Sequence, residues 1–166
     1  MSESVRVRQL NLPHTKTFLA FSLGKEEYGI PLSAVKEVVA LTQITRVPHA
    51  PGHFLGIMNL RGQVVSVFDM RLKFGIQAEN GEDTAVIVCD YAPLMFGMVV
   101  NSVNRVLSLA DDEIQDRPEM AGRHKSEHII GVAKKEDHFV LLLDVAKALN
   151  IEDHLAISST DLRSLK

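Results

Sequence analysis

The sequence predicts a mainly β fold of two small barrels packed together, with a short helix in the first half and a second helix near the C-terminus. The 166 residues are 46% hydrophobic and include seven Phe, two Tyr and no Trp. Aliphatic residues must therefore fill the core, and the abundant Val favours strands. Short apolar runs alternate with turn-forming residues on both sides of the dipeptide Asn80-Gly81, which is a strong turn signal.

The first half begins with a predicted hairpin. Phe18–Leu23 is typical of a strand, Gly24-Lys25-Glu26-Glu27 of a turn, and Tyr28–Ile30 of the returning strand. Pro31 suits the first turn of a helix, and the apolar residues of Leu32–Val39 recur at helical spacing. This segment is therefore predicted to be the short amphipathic helix.

The clearest hairpin of the sequence follows. Ile44–Val47 is predicted as a short strand that ends at Pro48, because proline fixes φ and has no amide hydrogen for a central ladder. Next, the predicted strands Phe54–Leu60 and Gln63–Met70 flank Arg61-Gly62. Glycine supplies the positive φ that a tight connection between strands requires.

The second half contains five strand candidates and one helix. The candidate strands are Thr84–Asp90, Met95–Val100, Val103–Leu109, Ile129–Lys134 and Phe139–Leu143. The helix is predicted over Asp144–Asn150, where Asp144 can cap the start and Asn150 can end it.

These elements suggest one domain over residues 17–150. The first barrel is expected at about 17–80 and the second at about 83–145, joined by the polar link Gln77–Asp83, with exchange of strands possible. Residues 1–16 are expected to be an extension, and residues 151–166 a tail.

Composition argues against several classes of function. Eighteen basic and 21 acidic residues give a formal charge of -3, so there is no positive field to hold nucleic acid. The single Cys89 excludes an intramolecular disulfide and suits a reducing compartment, which predicts a cytoplasmic protein. No apolar run approaches the roughly 20 residues that cross a bilayer, so membrane insertion is not expected.

Motifs of catalysis are missing from the sequence. It contains no phosphate-binding glycine loop followed by a Lys-Ser or Lys-Thr pair and no GxSxG nucleophile turn. Cys89 lies in an apolar stretch, where a buried, inert thiol is the commoner case. We therefore predict no catalytic residue, no cofactor and no metal, and a protein that works by binding.

A metal site is the competing hypothesis from another class. His124 and His128 have the i, i+4 spacing of a helical ligand pair, and the acidic run Asp111–Asp116 lies nearby in sequence. Their surroundings are polar and loop-like, without the glutamate placement of a zinc-protease helix or the glycine of a calcium loop. A small metal-dependent hydrolase is therefore the weaker alternative.

The segment Asn59–Arg71 is the most informative one. It places the guanidinium of Arg61 at the tip of a rigid hairpin, where it can make a two-pronged contact with a carboxylate. That carboxylate can belong to a partner protein or to this chain, Glu37 being a candidate. The plainer interpretation is an exposed turn arginine that contributes little.

The same segment resembles a known family. Its sequence NLRGQVVSVFDMR is similar to the NLRG-x-V-x-P-x-x-D-L-R signature of the CheW adaptors of bacterial chemotaxis. Three other stretches also resemble the family, in order: FLAFSLGKEEYGIPLSAVKEV from Phe18, ITRVPHAPGHFLGIMNLRG from Ile44 and VNRVLSLADDEI from Val103. The resemblance covers about residues 17–150.

The resemblance implies two packed, five-stranded, SH3-like barrels and a non-enzymatic function. Members bridge the cytoplasmic tip of methyl-accepting chemoreceptors to the CheW-like regulatory domain of the chemotaxis histidine kinase, in membrane-associated arrays. The positions that match the kinase-facing surface are Ile44, Gly56, Gly62 and Val64. Those that match the receptor-facing groove between the barrels are Val35, Glu37, Arg61, Val86, Met98 and Val100.

Each of these positions also has a structural interpretation. The glycines can serve backbone geometry alone, and Ile44, Val64 and Val86 can simply belong to the core. For the groove, Val35, Met98 and Val100 are expected to form an apolar floor.

The sequence departs from the family pattern at two positions. Ser66 stands where proline is usual, and Asn101 stands where aspartate is usual, which removes one acceptor-only charge. An adaptor for another chemosensory pathway, such as pilus motility or second-messenger control, is the alternative within the same fold.

Overall fold

A computed structural model describes residues 15–91, 94–115 and 128–149 of the chain. These residues form eleven strands, two short helices and two 3₁₀ turns. The strands are β1 (Thr15–Leu23), β2 (Glu26–Pro31), β3 (Val35–Ala40), β4 (Phe54–Leu60), β5 (Gln63–Asp69), β6 (Ala85–Tyr91), β7 (Leu94–Val100), β8 (Ser102–Ala110), β9 (Ile114–Gln115), β10 (Ile129–Lys135) and β11 (His138–Leu143). The helices are α1 (Met70–Lys73) and α2 (Val145–Leu149), and the 3₁₀ turns are Leu32–Ala34 and Asp111–Glu113.

The strands of the described residues pair into two sheets, which confirms the mainly β class. The six-stranded sheet has the order β8-β1-β2-β11-β10-β9, and the five-stranded sheet has the order β3-β6-β7-β5-β4. Most described pairs are antiparallel, whereas β2 with β11 and β5 with β7 are parallel. The sixth strand, β9, is only two residues long.

Each sheet takes strands from both halves of the chain. The first two strands join four strands of the second half, whereas β6 and β7 join β3, β4 and β5. The link at Gln77–Asp83 therefore separates two stretches of sequence and not two sheets. Exchange of strands between the halves is extensive.

Apolar side chains form one cluster within each sheet and a larger one between the sheets. In the six-stranded sheet, Leu107 and Leu109 of the edge strand β8 share a cluster with Ala133 of β10. In the five-stranded sheet, Val39 of the edge strand β3 packs against the cluster that contains Met58 of β4, at the opposite edge. Each sheet therefore curls around its own interior, as a barrel does.

The cluster between the sheets holds the largest side chains. It is built from Leu19, Phe21, Leu23, Tyr28, Ile30, Phe54, Phe68, Met70, Ile87, Cys89, Phe96, Met98, Val100, Leu143, Val145, Ala148 and Leu149. Aromatic rings meet within it: the centroid of Phe68 lies 5.1 Å from that of Phe54 and 6.0 Å from that of Phe96. This shared core fixes the two sheets to each other.

The predicted helix over Leu32–Val39 is wrong. Only Leu32–Ala34 forms a 3₁₀ turn, and the chain continues as β3. The β-branched Val38 and Val39 favour an extended backbone, and they pair with β6 opposite Ile87 and Val86. Pairing with a neighbouring strand outweighs the helical spacing of the apolar residues.

Two smaller predictions also change. The strand expected over Ile44–Val47 is reduced to one bridge, Thr45 with Ile57, and Pro48, which has no amide hydrogen, follows two residues beyond Arg46. The strand predicted over Gln63–Met70 ends at Asp69, and the chain forms α1, because the Asp69 carboxylate accepts the backbone N–H of Arg71 and caps the turn. The C-terminal helix is confirmed as α2.

Candidate functional site

The β4–β5 hairpin ends in a two-residue turn, as predicted. Leu60 and Gln63 are the last paired residues, and the turn residues Arg61 and Gly62 have φ values of 51° and 86°. Positive φ at both positions is typical of a type I′ turn, whose twist matches that of the strands. The backbone N–H of Gly62 also donates to Oδ1 of Asn59 at 2.7 Å. Arg61 therefore projects from a rigid support.

Arg61 forms an ion pair with Glu37, which confirms the pairing considered from the sequence. Glu37 lies on β3 and Arg61 follows β4, so the pair joins the two opposite edges of the five-stranded sheet. The hydrogen bond to Glu37 and the attraction of its charge raise the pKa of Arg61. The Arg61 side chain is still 67% exposed, compared with 26% for Glu37. Its guanidinium thus closes the barrel and remains open to a partner.

The four positions of the expected kinase-facing surface divide into two kinds. Gly62 and Val64 are exposed on the hairpin, Val64 at 54%. Ile44 is half-buried against the interior of the five-stranded sheet, and Gly56 is buried. We call Gly62 and Val64 the hairpin face.

Gly56 is required by the backbone. It has a φ of 144°, and a methyl group there would collide with the carbonyl oxygen of Thr45. That same oxygen accepts the N–H of Ile57 at 2.8 Å, and the N–H of Thr45 donates back to Ile57 at 2.8 Å. Gly56 thus allows the segment at Thr45 to lie against β4.

Gly56→Ala should lower the free energy of unfolding by about 1–3 kcal/mol, because the new side chain breaks this bridge and strains the backbone. Urea unfolding measures the change. Gly52→Ala is the matched control, since Gly52 has no atom within 4 Å of an added Cβ. Equal stability of the two variants would show that Gly56 is not constrained by its backbone.

Three of the six positions matched to the receptor-facing groove offer no surface. Val86, Met98 and Val100 are each 0% exposed. Val86 fills the interior of the five-stranded sheet, and Met98 and Val100 belong to the core between the sheets. The expected apolar floor made with Met98 and Val100 is therefore wrong, because both side chains are buried in the core. Val35, half-buried against the same core, remains at the surface.

An open groove does lie between the two sheets. It has a volume of about 560 Å³ and lies between β3 and β8, which are edge strands of the two sheets. Val38 of β3 and Val103 of β8 line it, together with the acidic Glu82 and Asp83.

The strand register explains why apolar side chains remain uncovered there. Val38 lies opposite Ile87, and Val106 of β8 lies opposite Leu19. Residues opposite each other share a face, and both partners belong to the core between the sheets. Val38 and Val106 therefore face the other sheet, yet they are 42% and 54% exposed because they stand at the edges. We call this groove, which Val38 and Val103 line, the inter-sheet groove.

A buried ion pair between Arg71 and Asp69 lies at the end of β5, and no role was predicted for it. Arg71 is 1% exposed and Asp69 is 3% exposed. Nε and Nη2 of Arg71 donate to the two carboxylate oxygens of Asp69, each at 3.0 Å. Nη1 donates to the Glu79 carbonyl at 2.9 Å, and Nη2 donates to Oδ1 of Asn80 at 2.7 Å. The sequence signal was the final D-x-R of the hairpin motif.

The remaining predictions concern chemistry and membranes. Burial raises the pKa of the Cys89 thiol to about 12, which confirms its packing role. Within residues 15–91, 94–115 and 128–149, no group of three or more His, Cys, Asp or Glu side chains is arranged to hold a metal ion. His124 and Asp116 of the hydrolase hypothesis lie outside those ranges. Among the described helices, none has the length and apolar character to cross a bilayer.

Comparison with known proteins decides the family. A family model described as the CheW-like domain matches residues 17–153. This chain belongs to the CheW-like family. The match contains the predicted domain over residues 17–150 and all ten candidate binding positions.

Individual CheW proteins are similar along most of their length. The chemotaxis protein CheW of Klebsiella aerogenes is 37% identical over 137 residues, which are 82% of each chain. That of Helicobacter pylori is 32% identical over 133 residues, 80% of each chain. The crystal structure of the scaffolding protein TtCheW from Thermoanaerobacter tengcongensis has a TM-score of 0.72 and 29% identity, over 81% of this chain and 87% of that one. Fold and family therefore agree.

Proposed function

We propose that this protein is a non-enzymatic adaptor that couples the cytoplasmic tips of chemoreceptors to the chemotaxis histidine kinase. It would act in the cytoplasm, at membrane-associated receptor arrays. Membership of the CheW-like family supports this proposal. The observation that carries it is the presence of two separate exposed surfaces, the hairpin face and the inter-sheet groove, with Arg61 between them.

The hairpin face is the proposed kinase contact. Val64 is 54% exposed on β5, and Gly62 leaves the turn open to close approach by a partner. Exposed apolar side chains on a rigid hairpin are suited to a protein interface. Ile44 and Gly56 contribute indirectly. Ile44 packs against the interior of the five-stranded sheet, and Gly56 allows the segment at Thr45 to lie against β4, the strand that pairs with β5.

The inter-sheet groove is the proposed receptor contact. A receptor tip is helical, and a helix binds through apolar residues spaced along one face, which a groove with apolar walls and a polar rim accepts. Val38 and Val103 supply apolar walls, and Val106 adds an exposed apolar side chain farther along β8. Glu37 and Arg61 supply polar groups where β3 meets the hairpin, next to Val35.

Arg61→Glu tests the receptor side. The substitution places two carboxylates together at the seam between β3 and the hairpin, and like charges in close contact cost several kcal/mol at an interface. We expect co-sedimentation with receptor-containing membranes to fall about tenfold or more. The urea midpoint should change little, because the Arg61 side chain is 67% exposed.

Lys134→Glu is the control for the change in net charge, since Lys134 is exposed on β10 of the other sheet. It should sediment with receptor membranes as the unmodified protein does. A folded Arg61→Glu protein that also sediments normally would remove Arg61 from the receptor surface.

A further inference from the structure

Three turns meet at Asn101, which joins β7 of one sheet to β8 of the other. Its Oδ1 accepts the backbone N–H of Gly24, in the β1–β2 turn, at 2.7 Å. Its Nδ2 donates to the carbonyl of Glu79, in the link before β6, at 3.2 Å. Its own backbone N–H donates to the carbonyl of Ser22 at 3.0 Å. One side chain thus connects a hairpin of the six-stranded sheet to the link.

The Glu79 carbonyl extends this connection to the five-stranded sheet. It accepts a second hydrogen bond from Nη1 of Arg71, whose guanidinium is fixed by Asp69 at the end of β5. The donors and acceptors therefore form a continuous path from Asp69 through Arg71, Glu79 and Asn101 to Gly24. We call this path the polar brace.

Apolar contacts also join the first hairpin to the segment after α1. The ring of Phe74 stacks on that of Tyr28 with centroids 5.7 Å apart, so the segment after α1 packs on the first hairpin. Ile76 lies against Gly24, where an added Cβ would be 2.9 Å from its Cγ2. Gly24 also has a φ of 63°, which favours glycine. The brace therefore lies in a packed joint between the two sheets.

The brace adjoins the inter-sheet groove. Ser102 and Asn104, which follow Asn101 on β8, line the groove, as do Glu82 and Asp83 of the link. Asn104 is itself tied to the first hairpin, because its Nδ2 donates to Ser22 Oγ at 2.9 Å and to Glu27 Oε2 at 2.7 Å. The junction at Asn101 therefore lies beside the two edge strands, β3 and β8, that bound the groove.

The chemistry of the Asn101 side chain is specific. Asparagine offers one acceptor and two donors, whereas an ionised aspartate offers acceptors only. An aspartate at this position could still accept from Gly24, but it would set a carboxylate against the carbonyl of Glu79. The connection from one sheet to the link therefore depends on the amide.

We propose that Asn101 is a positioning residue, which fixes the angle between the two sheets through the polar brace and thereby sets the width of the inter-sheet groove. Its effect on receptor binding rests on the function proposed above. Its effect on the distance between the sheets is independent of any partner. The two effects can therefore be measured separately.

The test measures the distance across the groove by pulsed electron paramagnetic resonance. Spin labels at Lys36→Cys on β3 and Ser108→Cys on β8 report on the two edge strands, and both positions are exposed. The native Cys89 does not interfere, because it is buried and its pKa is raised to about 12. The double-labelled protein is compared with and without Asn101→Asp.

We expect Asn101→Asp to broaden or shift the distance distribution and to weaken binding of a receptor-tip peptide about three- to tenfold, the loss of one hydrogen bond. The control is Asn59→Asp, since Asn59 uses only its acceptor, toward Gly62. It should leave the distribution unchanged. Far-UV circular dichroism and a urea transition establish that each variant is folded.

A distribution that Asn101→Asp does not change overturns the proposal, whatever happens to binding. An altered distribution supports it, even if the unmodified protein binds no receptor peptide, in which case the proposed function and not the brace is wrong. Weaker binding in step with a wider distribution supports both.

Discussion

Arg71→Met is expected to lower the free energy of unfolding by about 3–5 kcal/mol, the cost of breaking a buried ion pair. The substitution leaves the carboxylate of Asp69 buried at 3% exposure without its cation. It also removes the donors to the Glu79 carbonyl and the Asn80 side chain. Methionine keeps an unbranched, apolar stem of similar volume, so the loss measures mainly the polar interactions.

Urea unfolding with a two-state fit measures this loss, and the same experiment on Lys135→Ala supplies the control. Lys135 pairs with Glu113 at 2.8 Å, but both side chains are about one-third exposed, so that pair contributes about 0–1 kcal/mol. The double variant Asp69→Leu with Arg71→Met should be less destabilised than the sum of the single variants, because no unpaired charge remains. A loss for Arg71→Met no larger than that for Lys135→Ala would contradict this account of the pair.

Val38→Asp is expected to weaken receptor binding by about 30-fold or more, as for a central interface residue. Receptor binding would bury the new carboxylate in the apolar part of the inter-sheet groove. The native side chain is 42% exposed in the free protein, so stability should fall by only about 1 kcal/mol, in line with the lower strand preference of Asp. Binding of the kinase regulatory domain should not change.

Val64→Asp is the matched variant on the hairpin face, where the native side chain is 54% exposed. It should weaken binding of the kinase regulatory domain and spare receptor binding. Titration calorimetry of both variants against both partners gives the four affinities. If either variant weakens both partners equally while folded, the assignment of separate surfaces is wrong.

The fold was predictable where local signals agree with pairing between strands. The Arg61-Gly62 turn was predictable because glycine supplies the positive φ of a tight hairpin between two strand-like runs, and both flanking strands are confirmed. The segment Leu32–Val39 misled because valines at helical spacing also fit a strand. This segment forms a strand because it pairs with β6. Since β6 lies about 50 residues later in the sequence, no local pattern indicates that pairing.

The candidate site was predictable only in part, for a similar reason. Glu37 and Arg61 were paired from their opposite charges, and the structure brings them together. The burial of Met98 and Val100, and the exposure of Val38, depend on which strands stand at the sheet edges. Strand exchange between the halves sets those edges. The role of Arg71 depends on its hydrogen bonds to Glu79 and Asn80, which lie eight and nine residues later in the sequence.

We propose that one molecule of this protein connects two partners. Co-sedimentation of receptor-containing membranes, the histidine kinase and this protein measures that connection. We predict that the kinase enters the membrane pellet only when both receptor and this protein are present, and that Val38→Asp and Val64→Asp each abolish its recruitment. Kinase that sediments to the same extent without this protein, or protein that sediments with neither partner, would contradict the claim.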